Sequence, residues 1–80
     1  MNLRNDRVVD TLGRRVHELR KERKLSQLQL ANLADMMVSQ VSRIETGKSN
    51  ATISTVCALA AALDVDLNTL VPPSFYGRSA

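Results

Sequence analysis

The chain is nearly devoid of aromatic residues: one Phe, one Tyr and no Trp among 80 positions. Its core must therefore be aliphatic. A single cysteine, Cys57, excludes an internal disulfide and fits a reducing cytoplasm. That lone thiol and the only histidine, His17, give no ligand set for zinc, so no metal site is expected. No apolar run approaches the roughly 18 residues of a membrane helix, and the N-terminus lacks a secretory pattern. The expected location is cytoplasmic, away from membranes. With three glycines, the sequence holds no phosphate-cradling glycine loop. Nor does it show a nucleophile–base pair or carboxylates paired at catalytic spacing. An enzyme and a bound cofactor are both unexpected.

What is present is one small domain with an uneven charge. Eighty residues are too few for two independent cores. The net charge is +3, but residues 1–25 hold eight Arg/Lys against four Asp/Glu, whereas residues 26–71 sum to −2. A basic stripe on the first helix is the expected footprint of phosphate binding, set against an ordinary solvated helix face.

Apolar periodicity predicts helices and no strand. The first helix should run from about Asp6 to Arg23, burying Val9, Leu12, Val16 and Leu19. Gly13 weakens it by about 1 kcal/mol relative to alanine and marks a place where another helix comes near. His17 lies one position round from the stripe and reads as a solvated residue. Leu25 should plug the core below the turn that follows. A fourth helix from about Ile53 to Leu63 should bury Ile53, Val56, Leu59, Ala60 and Leu63, with Cys57 a small hydrophobe on it. A short fifth turn holds Leu67 and Leu70, and Pro72-Pro73 end regular structure. The fold class is all-α, a compact bundle of four to five helices over residues 1–71, with 72–80 as a tail.

Residues 26 to 48 carry the functional signal. Ser26 with Gln29 three positions on is a capping box. Leu30, Ala31 and Ala34 form a small apolar stripe that admits a second helix closely. After Asp35-Met36-Met37, apolar positions resume at Val41 and Ile44. A helix over 38–46, turned 100° per residue, points Val41, Ile44 and Glu45 inward. Ser39, Ser42, Arg43 and Thr46 then face outward, with Val38 and Gln40 at the margins. A small, nearly acid-free face with one arginine suits base edges in a major groove. Two short helices joined by a tight turn make a helix-turn-helix.

The stretch from Leu12 to about Leu70 resembles the XRE family, the DNA-binding type of phage Cro and lambda-type repressors. The resemblance rests on Ser26-Gln27, Leu30-Ala31, Val41-Ser42-Arg43-Ile44-Glu45, Gly47-Lys48, Asn50, Leu59-Ala60 and Ala62-Leu63. It covers about three quarters of the chain. It implies a lambda-repressor-like bundle and a cytoplasmic, sequence-specific regulator of double-stranded DNA. Base contacts would come from Val38, Ser39, Ser42 and Arg43, and phosphate contacts from Gln27, Gln40, Lys48, Ser49 and Asn50. Arg43 has the geometry to pair bidentately with guanine; the alternative is a phosphate contact. Val38 would touch a thymine methyl or tuck against the core. The resemblance also implies an ion pair between Arg20 and Glu45, the alternative being Glu45 reaching solvent.

Three positions depart from the family pattern. Asp35 stands where glycine is usual, at a turn site that favours a left-handed backbone, and Asp64 replaces a usual glycine at the end of the fourth helix. Met37 stands where Ser or Thr usually caps the recognition helix, a loss of about 1 kcal/mol. Either Met37 leaves that helix uncapped, or Ser39 caps a helix that starts later and presents a different face.

The resemblance further implies a homodimer on a palindromic operator, acting as a repressor. Leu67, Leu70, Val71, Phe75 and Tyr76 supply the apolar surface for pairing, against the alternative of a disordered tail. Phage repressor, restriction–modification controller and antitoxin are settings the sequence leaves open. The rival reading is a protein-interaction module, such as an antitoxin that binds a toxin as well as its own promoter. Leu28 and Leu33, which either extend the core or form an exposed patch, give it weight.

Overall fold

The computed structural model describes residues 6–75, and these form five α-helices and a final 3₁₀ turn. They are α1 (Asp6–Glu22), α2 (Gln27–Leu33), α3 (Val38–Glu45), α4 (Ile53–Leu63) and α5 (Leu67–Leu70), followed by Pro73–Phe75. The expected all-α architecture holds, and the helix boundaries lie within a residue of those read from periodicity. Pro72-Pro73 end α-helix but not all regular structure, because proline is admitted at the start of a helical turn.

The core is aliphatic. Val16, Leu30, Val41, Ile44, Leu59, Leu63 and Leu70 are its largest fully buried side chains, with Leu12, Ala31, Val56 and Ala60 filling between them. Leu25 packs against this cluster below the turn. Helix α3 packs on both α1 and α2, while α4 and α5 close the other side. Gly13 explains how α1 comes so near α3. A Cβ there would overlap the carbonyl oxygen of Ile44 and lie 3.0 Å from that of Glu45.

Helices α1 to α4 all stop in the same way. A residue in the left-handed region follows each one: Lys24, Asp35, Gly47 and Asp64, with φ between 55° and 72°. The next N–H then bonds the carbonyl five residues back, as in Leu25 to Arg20, Met36 to Ala31, Lys48 to Arg43 and Val65 to Ala60. These are Schellman closures, and they satisfy carbonyls that would otherwise be orphaned. The left-handed backbone expected at Asp35 is therefore present, and Asp64 adopts the same conformation at the end of α4.

Two expectations about burial fail. Periodicity puts Ile53 in the core, but it is 66% exposed, because it opens α4 and the inward stripe begins only at Val56. Leu70, expected on a dimer surface, is fully buried, because α5 turns it beneath α1 and α4. Phe75 closes the last turn; its side chain, and Tyr76 entirely, lie outside the described residues.

Candidate nucleic-acid interface

Helix α2 is set by its first turn. Ser26 Oγ accepts the N–H of Gln29 at 3.0 Å, and Gln29 Oε1 accepts the N–H of Ser26 at 2.8 Å, which completes the capping box. The chain then turns through Asp35 and Met36 into α3, whose cap position is Met37. Helix α3 starts at Val38 and the Met37 side chain makes no capping bond, so of the two alternatives the uncapped helix holds, and Ser39 lies within the helix rather than capping a later one.

The face of α3 follows from that start. Val41 and Ile44 are buried, whereas Ser39, Gln40, Arg43 and Thr46 are exposed and Ser42 is half-buried. Val38 is 42% exposed, so it does not tuck into the core. Arg43 Nη2 donates to the carbonyl of Lys48 at 3.1 Å, which leans the guanidinium toward the loop after α3 while leaving other donors open. Thr46 folds its hydroxyl back, donating to the Ser42 carbonyl at 2.9 Å. In that loop, Lys48 and Asn50 are exposed and Ser49 is half-buried. Gly47 enters it at φ 72°, with Asp10 so close that an added Cβ would lie 2.5 Å from Oδ1.

The inward side of α3 holds the only acid of that helix, and four side chains converge there. Arg20 meets Glu45 in a bidentate pair, Nε to Oε2 at 2.6 Å and Nη2 to Oε1 at 3.0 Å, and its Nη1 donates to the Leu25 carbonyl at 2.8 Å. The two side chains are 9% and 3% exposed, so the pair is a buried one. The sequence missed the other two members. His17 Nδ1 lies 2.9 Å from Glu45 Oε1, and Gln27 Nε2 donates to the same oxygen at 3.2 Å. His17 is thus half-exposed but bonded, not simply solvated. It stands three residues before Arg20, on one helical face, and that spacing was the available signal.

Electrostatics follow from this geometry. Burial pushes the Glu45 carboxyl up, but hydrogen bonds from Arg20, His17 and Gln27, with the Arg20 charge, outweigh it and hold it below the usual value. The bond to Glu45 raises Arg20 in turn, burial opposing and the carboxylate charge assisting. Together these contacts tie α1, the first residue of α2 and the last residue of α3 into one unit.

The basic first helix is partly consumed by structure. Besides Arg20, Arg15 is turned inward, donating from Nη1 to the Thr69 carbonyl of α5 at 2.9 Å while its buried Nε has no partner. Arg7, Arg14, Lys21, Arg23 and Lys24 remain exposed. Leu67 and Val71 are half-buried in an apolar groove of about 320 Å³, with Val8, Val9 and Ile53 on its other walls. Leu28 and Leu33 are exposed, which resolves their two readings in favour of surface. Among the described residues no His/Cys/Asp/Glu group could hold a metal ion, and no helix is long and apolar enough to cross a membrane.

This arrangement matches known proteins. A helix-turn-helix family profile, HTH_3, fits residues 16–70, from the middle of α1 to the end of α5. The immunity repressor protein of Bacillus phage phi105 is 41% identical over 61 residues, which is 76% of this chain and 42% of that protein. The chain therefore spans less than half the length of that repressor. The restriction–modification controller protein C.AhdI from Aeromonas hydrophila superposes with a TM-score of 0.76 at 35% identity, over 78% of this chain and 94% of that one. A hypothetical transcription factor, NHTF, from Neisseria superposes with a TM-score of 0.78 at 26% identity, over 94% and 88% of the two chains. More than half of the chain lies within the profile, and both its helices and its capped turn are in place: the chain belongs to the HTH_3, XRE-type family of helix-turn-helix DNA-binding regulators, which is not an enzyme family.

Proposed function

We propose that this chain is a sequence-specific repressor that binds a palindromic operator as a homodimer. One observation carries the reading: α3 is locked to the bundle along its inner side through Glu45, Val41 and Ile44, while Ser39 and Arg43 are exposed on its outer side. A helix held this rigidly positions base-reading side chains without ordering cost on contact. Arg43 is the residue that reads guanine, and Val38, Ser39 and Ser42 line the same groove. Lys48, Ser49 and Asn50 flank α3 at the phosphates, with Gln40 at its margin. Gln27 reaches phosphate with its remaining amide N–H, the other being held by Glu45. Two copies pair through the apolar groove, where Leu67, Val71 and Ile53 are accessible, and set half-sites about 34 Å apart.

The test is a titration over single-base variants of a site selected from random duplexes. Arg43→Ala should cost about 1–3 kcal/mol at one guanine per half-site and leave unrelated DNA less affected. Lys48→Ala should weaken all duplexes alike and flatten the salt dependence by about one unit of slope. An equal loss for every duplex with Arg43→Ala would make that residue a phosphate clamp.

The exposed Leu28 and Leu33 favour a second reading, in which α2 also receives a partner protein such as a toxin. It predicts that Leu33→Asp leaves operator affinity intact while abolishing co-purification with the product of an adjacent gene.

A further inference from the structure

We infer that His17 is a further phosphate-contacting residue and that it makes this contact only when protonated, so that DNA affinity is linked to pH. The inference rests on the DNA-binding reading and deepens it. One atom, Glu45 Oε1, accepts from Arg20 Nη2 at 3.0 Å, His17 Nδ1 at 2.9 Å and Gln27 Nε2 at 3.2 Å. An ionised carboxylate can only accept, so Nδ1 of His17 carries a hydrogen. That fixes the tautomer: in the neutral ring, Nε2 holds a bare lone pair. Arg20 Nη2, 3.3 Å from Nδ1, donates to the same oxygen and leaves this assignment unchanged. Both contacts of the ring engage Nδ1 and the side chain is half-exposed, so Nε2 is the atom left for a partner.

The place of the ring defines that partner. His17 and Gln27 bond the same oxygen atom, which sets the imidazole beside the amide that reaches phosphate in the proposed complex. A backbone phosphate of DNA only accepts. Neutral His17 offers it a lone pair, acceptor against acceptor, whereas the protonated ring offers an N–H and a positive charge. Before DNA arrives, Glu45 of α3 favours that proton, and Arg20 opposes it together with Arg14 and Lys21, one turn away on α1; Gln27 of α2 is neutral. A phosphate adds a second anion and tips the balance. Binding then takes up a proton, and by linkage affinity rises as pH falls. His17 is the only histidine in the chain, so no second imidazole supplies the same response.

The experiment titrates a duplex selected from random DNA at about pH 8 and about pH 5.5, either side of the range in which imidazoles change charge. Glu45 stays ionised at both, because its contacts hold its carboxyl below the usual value. Wild type should bind about tenfold tighter at the lower pH, the worth of one charge-assisted hydrogen bond. Its salt dependence should steepen there by about one unit of slope. His17→Gln keeps a donor for Glu45 and cannot gain charge, so it should bind with one affinity and one slope at both pH values. His17→Lys, charged throughout, should lose the pH response while holding the tighter affinity. Circular dichroism checks folding, and either variant alone carries the test if the other fails to fold. A flat wild-type profile on a specifically bound duplex overturns the inference and leaves the regulator reading standing. A pH response that survives substitution of His17 places the proton elsewhere and overturns it too. Failure to bind any duplex at either pH overturns both.

Discussion

The two helices of the helix-turn-helix begin in opposite ways. Helix α2 starts with a complete capping box, Ser26 and Gln29 satisfying each other's backbone N–H groups. Helix α3, eleven residues on, starts at an uncapped and exposed methionine. At its other end the contrast reverses, because Glu45 is gripped by Arg20, His17 and Gln27. Stability in α3 is concentrated where it meets the bundle and is absent where it meets the solvent. An end of a helix left without local optimisation is the pattern expected at functional sites, and it agrees with the DNA-reading role proposed for α3.

The largest test of this contrast lies at the gripped end. Glu45→Ala should destabilise the fold by about 3–5 kcal/mol, since it leaves the Arg20 guanidinium buried without its counter-ion. Changing both residues, Arg20→Met with Glu45→Leu, should cost far less than the two single changes added, as read from denaturant midpoints. Additive losses in that cycle would mean that the grip is not a coupled unit.

A smaller effect should appear with pH. The Glu45 carboxyl is held below its ordinary value in the folded chain, so its contribution is fully present above the unfolded-state value of about 4.3. That contribution is lost as pH falls through the depressed folded value. Stability followed from pH 7 downward should fall more steeply in wild type than in Glu45→Gln, which is weaker at neutral pH but has no carboxylate to protonate. Parallel curves would place the acid sensitivity elsewhere.

The smallest effects compare the two caps directly. Ser26→Ala should lower stability by about 1 kcal/mol, whereas Met37→Ser should raise it by up to about 1 kcal/mol, both read by thermal melting. If both substitutions destabilise, Met37 has a packing role and the asymmetry between the helices disappears.

The readable and unreadable parts of the molecule divide along the range of the interactions involved. The boundaries of α1 and α4, the capping box and the left-handed turn at Asp35 are legible, because each depends on residues within about two turns of one another. The errors were of another kind. Ile53 and Leu70 are apolar residues near helix ends, where the side of the bundle they meet depends on how the last two helices dock. The basic stripe expected on the first helix is also incomplete, because Arg15 bonds a carbonyl 54 residues away.

The sequence by itself determined the class of the protein and its helix-turn-helix, because helical periodicity and end signals are local and carried by residue type. Only the tertiary structure decided that His17 and Gln27 join Arg20 on Glu45, that Leu70 is core, and that Met37 leaves its helix uncapped. These depend on distances between segments distant in sequence, or on which of two competing helix starts the packed bundle stabilises. A pattern of residue types does not encode them until the chain has closed on its core.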